Sequence, residues 1–441
     1  KSSAASDVYK RQGNRDLTSG AVWKVILRFA FPLLIGNLLQ QLYNVTDSVI
    51  VGQFLGKESL AAVSASFFIY YFIISLVIGI GSGTSVVISQ FFGAKEFDKV
   101  QKAFSSFFIF MLVAGVLLSI AGIIFAEPMF RLTNTPEDVI PQAVAYFRIY
   151  VGGTFLFVTF NSIISILRGV GESVRPMLFI LLTTILNIAL DLLFIVVFKW
   201  GIEGAARATV IAQGIGMCVA LGYVNNTHPL LSIKKQDLLF DMGLFKEGLR
   251  IGLPSSVQQC AISLGLIALL GIVNSFGTDT LTAYGAAGKI DTIIIQAVLT
   301  LSGALAAFCG QNIGAGHLDR VRDGVRFAML VNLLLGLATF TAIYFFGDKM
   351  MLAFTKDPEV IRIGKEYLLI MGGFFIVHGG LNVFNGALRG AGDTLFPMAV
   401  SITCLWLIRI PLAYWFSSIW GRSGISVSYT HLRAHETCAD L

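Results

Sequence analysis

Two carboxylates stand where carboxylates are rare. Asp47 lies in YNVTDSVIVGQF and Asp191 in NIALDLLFIVVF, each inside an apolar run long enough to cross a bilayer. An acid at bilayer depth costs roughly 2.5 to 3.5 kcal/mol on insertion scales, so each is by default a candidate for function. Asn187 precedes Asp191 by four residues and therefore shares its helix face. Two carboxylates and an amide oxygen are hard ligands that suit a small cation such as Na+, and a protonated carboxyl is the other way to carry the charge. The bland reading is that Asp47 caps a helix end or faces water at the interface. A second charged group comprises Lys289 and Asp291 in one apolar run and Arg409 in another. Asp291 and Arg409 are expected at similar depth, where pairing would offset the burial of both; a gate or a share of the substrate cavity is the functional alternative. His378 is a candidate proton carrier, weighed against a hydrogen-bonded packing role.

These residues need helices to position them in lipid. Of 441 residues, 55% are hydrophobic and only 13% charged, and mean hydropathy is +0.77, values that belong to a membrane protein. Apolar runs near 22–51, 60–88, 104–126, 142–167, 176–198, 204–224, 249–275, 281–308, 325–347, 364–388 and 396–419 each approach the roughly 20 residues a spanning helix requires. Only short connectors separate them, the longest being the amphipathic stretch 225–248. Basic residues favour the connectors on the side of the N-terminus, among them Lys95, Lys99, Lys102, Arg168, Arg175 and Arg320, which places that terminus in the cytoplasm. The net charge of +6 is read as loops against anionic headgroups, and no nucleic-acid partner is expected.

The chain also repeats itself. LRGVGESVRPM at 167–177 returns as LRGAGDTLFPM at 388–398, which sets a fixed register between the two halves. The same register carries QFFGAK at Gln90 onto QNIGAG at Gln311, Tyr146 onto Tyr367 and Asn161 onto Asn382, and Phe31-Pro32 recurs as Leu253-Pro254 one residue out of register. Six spans separate equivalent points, so both halves enter the membrane in the same sense. Parallel repeats with a site between two lobes are a transporter architecture. NVTDSVIVGQFLG at 44–56, QFFGAKEFDKV at 90–100, LRGVGES at 167–173, NIALDLLFI at 187–195, GAARATVIAQ at 204–213, QNIGAG at 311–316 and RIPLAY at 409–414 resemble, in order, the motifs of the multidrug and toxic compound extrusion (MATE) family. The resemblance implies an all-α polytopic fold of two parallel six-helix repeats around a central cavity, and export of organic, cationic or amphipathic compounds by Na+- or H+-driven antiport. It places Asp47, Asn187, Asp191 and Thr209 in an N-lobe cation site, with Tyr146 and Asn161 as weaker correspondences. One subgroup of the family has acids in its seventh and tenth spans, where this chain has Gln258, Gln259, His378, Asn382 and Asn385; a Na+ site is therefore expected in the N-lobe alone.

The expected organisation is an N-lobe at 13–224, a cytoplasmic linker at 225–248 and a C-lobe at 249–426. Residues 1–12 and 427–441 read as translated adaptor sequence, and a twelfth span is expected to be missing, leaving about eleven. His431, His435 and Glu436 have helical metal spacing but stand in that foreign tail, and the glycines Gly79, Gly81 and Gly83 mimic a phosphate loop inside a span, where close helix packing explains them better. The nearest rival function is a flippase for lipid-linked saccharides, which would need a more cationic cavity. An intramembrane enzyme would need an activated nucleophile or metal cluster, and a channel a continuous polar pore; neither is visible. The chain is expected to be a monomer in the plasma membrane (the inner membrane of a bacterium), without cofactors beyond its coupling ion.

Overall fold

The computed structural model describes residues 16–133, 135–228, 231, 239–274, 276 and 278–420. The two tails, the tail histidines and most of the linker fall outside the described residues. Among the described residues every regular element is helical: α1 (Val22–Leu55), α2 (Lys57–Gly93), α3 (Phe97–Leu132), α4 (Ile140–Gly152), α5 (Thr154–Gly169), α6 (Val174–Asp191), α7 (Gly201–Thr227), α8 (Met242–Asn274), α9 (Thr278–Gly314), α10 (Leu318–Leu352), α11 (Pro358–Ala391), α12 (Leu395–Ile402) and α13 (Ile410–Trp420). Helices satisfy their own backbone polar groups, which hydrocarbon cannot do. Nine helices among the described residues are long and apolar enough to cross a membrane, and α4 with α5 makes a tenth span bent by 46°; α8 fills the place of the seventh apolar run. Large apolar side chains such as Leu117, Ile124, Phe345 and Leu407 are exposed, the surface expected of a lipid-facing exterior.

The sequence points to one straight fourth span, and the structure breaks it. Gly152 and Gly153 fall at the bend, and a Cβ on Gly153 would collide with the Val210 side chain of α7, so the pair both weakens the helix and admits a neighbour. The fifth span also departs from simple helix. A π-helical stretch, Leu192–Val197, follows Asp191 directly, and another, Thr403–Arg409, lies between α12 and α13. Such wide turns inside helices frequently mark functional positions.

Two lobes result. In the first, α1 packs on α6, α6 on α7 and α3 on α5; in the second, α9 and α10 both pack on α11; across the divide α2 packs on α8 and α9. Repeat-related turns take the same backbone: Gly171 and Gly392 have φ of 87° and 89°, and Lys95 and Gly316 have 61° and 77°. The left-handed region is cheap for glycine and costs lysine on the order of 1 kcal/mol. At the end of the α5–α6 turn, the buried Glu172 carboxylate meets His228 Nε2 at 2.8 Å and accepts from the Tyr223 hydroxyl at 3.2 Å, tying α7 to that turn.

The lobes meet through a reciprocal contact. Gln90 Nε2 donates to the Gly390 carbonyl at 2.9 Å, and Gln311 Nε2 donates to the Gly169 carbonyl at 2.9 Å. The register of the internal repeat turns each bond into the other. Backbone approach makes this feasible, because a Cβ on Gly93 would overlap the Gln311 carbonyl oxygen and one on Gly314 would overlap that of Gln90. Gly79 and Gly83 likewise press against the backbone of α8 at Ser256 and Gly252. The glycine run is a packing surface, as small residues are at membrane helix contacts. Further along, Asn37 Nδ2 donates to Thr300 Oγ1 at 2.9 Å.

Substituting Gly93→Ala or Gly314→Ala is expected to push the lobes apart at this end. Electron-electron distance measurements between spin labels at Asp98 and Asp319, both exposed, should shift most of the population to longer separation; an unchanged distribution would refute the steric account. Gln90→Ala and Gln311→Ala each remove a hydrogen bond of about 1 kcal/mol and should shift the same equilibrium by roughly fivefold.

Candidate functional site

The N-lobe brings five of the six expected residues into one cluster. Asp47 comes from the C-terminal part of α1, Tyr146 from α4, Asn187 and Asp191 from successive turns of α6, and Thr209 from α7. Their exposures of 8%, 5%, 1%, 0% and 5% remove the reading of Asp47 as a solvated interface residue. The Asp47 and Asp191 side chains are close enough to act on each other electrostatically. Thr209 Oγ1 is the hub on the other side: it accepts from Asn187 Nδ2 at 3.2 Å and from the Tyr43 hydroxyl at 3.4 Å, while donating to the Ala205 carbonyl at 3.2 Å. Asn161, the sixth, lies beyond the Gly152–Gly153 bend and lines a neighbouring cavity instead.

What distinguishes the cluster is its excess of acceptors. Asp47 Oδ1, Asn187 Oδ1 and both Asp191 carboxylate oxygens are buried without a hydrogen-bond donor. The Asn187 amide spends its donor on Thr209, so its oxygen joins the carboxylates as an unmatched acceptor. Buried polar atoms are nearly always satisfied, and each exception asks for a cause. Four oxygens with no donor among the described residues, shared by two neighbouring carboxylates and an amide, fit a cation or a proton between them.

Tyrosines missed in the sequence complete the wall. Tyr43 precedes Asp47 by one turn of α1, and Tyr150 follows Tyr146 by one turn of α4. Tyr146 and Tyr150 stack with centroids 5.6 Å apart, and Tyr70 meets Tyr150 edge-on at 4.4 Å. The signal was the spacing of four residues from an expected site residue. Beyond Asp191, the π stretch buries Phe194, which stacks on Trp200 at 4.6 Å, and Arg207 sits 5.2 Å from that indole centroid; this closes the outer side of the helix.

A cavity adjoins the cluster through Tyr43. It lies among α1, α5, α6 and α7, is partly open, and is lined by Gln40, Tyr43, Asn161, Arg168, Thr184 and Gln213 among others.

The second charged group is more dispersed. Lys289 is exposed, while Asp291 and Arg409 are half-buried, Arg409 closing the π stretch before α13; both Asp291 and Arg409 have partners. His378 shares a hydrogen bond of 3.1 Å with Asn382 one turn away, the arrangement of the packing reading. Gln258 donates to Ser401 Oγ at 2.7 Å and to the Pro397 carbonyl at 3.2 Å, fastening α8 to α12.

Known proteins share this plan. The MatE family model matches twice, at residues 32–193 and 254–415, one copy for each half. The probable multidrug resistance protein YoeA of Bacillus subtilis is 32% identical over 402 residues, covering 89% of this chain and 87% of its own. YpnP, another probable multidrug resistance protein of the same organism, is 31% identical and covers 96% and 95%. A solved outward-facing multidrug resistance MATE family transporter of the MOP superfamily superposes with a TM-score of 0.90 at 25% identity, covering 96% and 95%. The duplicated fold, the twice-matched family model and the relatives agree, and the chain belongs to the MATE family of multi-pass membrane transporters.

Proposed function

We propose that this transporter is an antiporter that exports organic compounds by alternating access, driven by a Na+ or H+ bound at Asp47, Asn187 and Asp191. The observation that carries the reading is the pair of neighbouring, buried carboxylates, three of whose oxygens find no donor among the described residues. Two unit charges about 4 Å apart repel by roughly 4 kcal/mol at an effective dielectric of about 20, and their desolvation adds several kcal/mol more. A cation or proton relieves both costs, so its binding is coupled to whatever conformation holds the two acids together. Asp47 and Asp191 belong to α1 and α6, which pack directly on one another; relative movement of these helices changes the separation of the acids and hence the ion's affinity. Coupling requires this difference in affinity between states.

The reciprocal glutamine contact supports the other half of the cycle. It joins the lobes at the end bearing the basic connectors, which the charge distribution assigns to the cytoplasm. Closure at that end leaves the substrate path directed outward. Release of the seal would reverse the access, and the names of the relatives as multidrug resistance proteins accord with export of foreign organic compounds.

The experiment is export of a fluorescent organic cation from vesicles carrying the protein, under an imposed Na+ or H+ gradient. The wild type should move dye with one of the gradients, and Asp47→Asn or Asp191→Asn should each lower that movement at least tenfold; undiminished movement in both variants would remove the acids from the mechanism. Tyr43→Phe deletes only the hydroxyl that reaches Thr209. It should slow the coupled rate severalfold while leaving the amount of folded protein unchanged, as read by size-exclusion chromatography.

A further inference from the structure

The cavity beside the cation site is lined in part by a half-buried positive charge that nothing in the ion cycle uses. Arg168 reaches it from the end of α5, and its Nε is buried without a hydrogen-bond partner. No ion pair or hydrogen bond from this guanidinium is found among the described residues. Arginine stays charged in any protein environment, and a partly desolvated charge without a counter-ion gives up hydration that nothing replaces. Several other arginines do have carboxylate partners: Arg131 is held by Glu127 and Glu137, Arg207 by Glu203, and Arg362 by Glu359.

A second orphan faces the same space. Gln213 Oε1, on α7, is a buried acceptor without a donor. Between the two stand Thr184 and Asn161, with the Phe160 ring and the Tyr43 phenol as apolar walls. The cavity therefore presents one unmatched cationic donor and one unmatched neutral acceptor across a partly aromatic surface. Its complement is a flat organic solute bearing a carboxylate and an N–H group.

From this geometry we infer that Arg168 is a substrate-binding residue that selects organic solutes carrying a carboxylate, zwitterions or anions, over compounds that are only cationic. The inference rests on the chain being an exporter of organic solutes, and it narrows the class of those solutes. A planar guanidinium binds a carboxylate through paired, charge-assisted hydrogen bonds, with Gln213 receiving the solute's N–H. The location also links the solute to the lobe contact. The residue after Arg168 is Gly169, whose carbonyl accepts from Gln311 of the other lobe, so a carboxylate on Arg168 bears directly on the strand of contacts that seals the lobes. Tyr43 touches both the cavity and Thr209 and connects the solute to the cation cluster on its other side.

The test is equilibrium binding, by fluorescence polarisation, of a matched dye pair to detergent-purified protein: an amino-rhodamine with a free carboxylate and its methyl ester. Hydrogen bonds to a charged group contribute enough that the free acid should bind about tenfold more tightly than the ester. Arg168→Gln should abolish that preference by weakening the acid alone, with binding of the ester reporting that the variant is folded; Arg168→Lys, which retains the charge, should keep part of the preference. Equal affinity for the two dyes in the wild type, or an equal loss of both in Arg168→Gln, would overturn the inference. So would displacement of the acid by added phosphatidylglycerol, which would assign the guanidinium to a lipid headgroup. No gradient enters this measurement, so a failure of ion-coupled export leaves it standing, and its failure leaves the ion site standing.

Discussion

Two neighbouring acids inside an apolar bundle set the terms for the rest of the molecule. Each must be desolvated, each repels the other, and among the described residues Asp191 has a donor at neither oxygen and Asp47 none at Oδ1. The fold makes this tolerable only by surrounding the pair with groups already committed elsewhere: Asn187 to Thr209, Thr209 to the Ala205 carbonyl, and the tyrosines to one another. A site built in this way is rigid in its walls and deficient at its centre. Such a deficiency leaves room for a mobile positive charge, where a resident lysine or arginine would satisfy it permanently.

Much of this was legible in the amino-acid order. The apolar runs anticipate the helices, the return of LRGVGESVRPM as LRGAGDTLFPM anticipates the two lobes, and Asp47, Asn187 and Asp191 stand out because ionisable and amide groups are scarce at that depth. Other features were hidden for definite reasons. Tyr43 and Tyr150 are inconspicuous in a chain with 12 tyrosines and 36 phenylalanines, and only their contacts distinguish them. The bend at Gly152–Gly153 admits Val210 of a distant helix, and Asn161, beyond that bend, lines the adjoining cavity together with Tyr43. Arg168 reads in sequence as one basic connector residue among many; its isolation is a property of what surrounds it, which spacing does not report.

The halves have kept one feature in common and let another diverge. The lobe contact is duplicated bond for bond, with Gln90 and Gly169 answered by Gln311 and Gly390. The cation cluster is not duplicated. In the register that carries Gln90 onto Gln311, Asn187 falls on Ile408 and Asp191 on Leu412, and Asp47, whose span repeats one residue out of register, falls on Leu269; none of these has a side chain that can ligate an ion. The acid pair therefore belongs to one lobe, while the interface is shared equally by both.

That interface has the logic of a symmetric dimer. In a two-fold contact the same patch serves both partners, so each patch is complementary to itself. The first half of this chain holds the donor Gln90, the acceptor Gly169 and the bare backbone at Gly93, which is every part the second half contributes through Gln311, Gly390 and Gly314. Each lobe thus brings the same three parts to the contact, so a change on one side of the seam has its counterpart on the other.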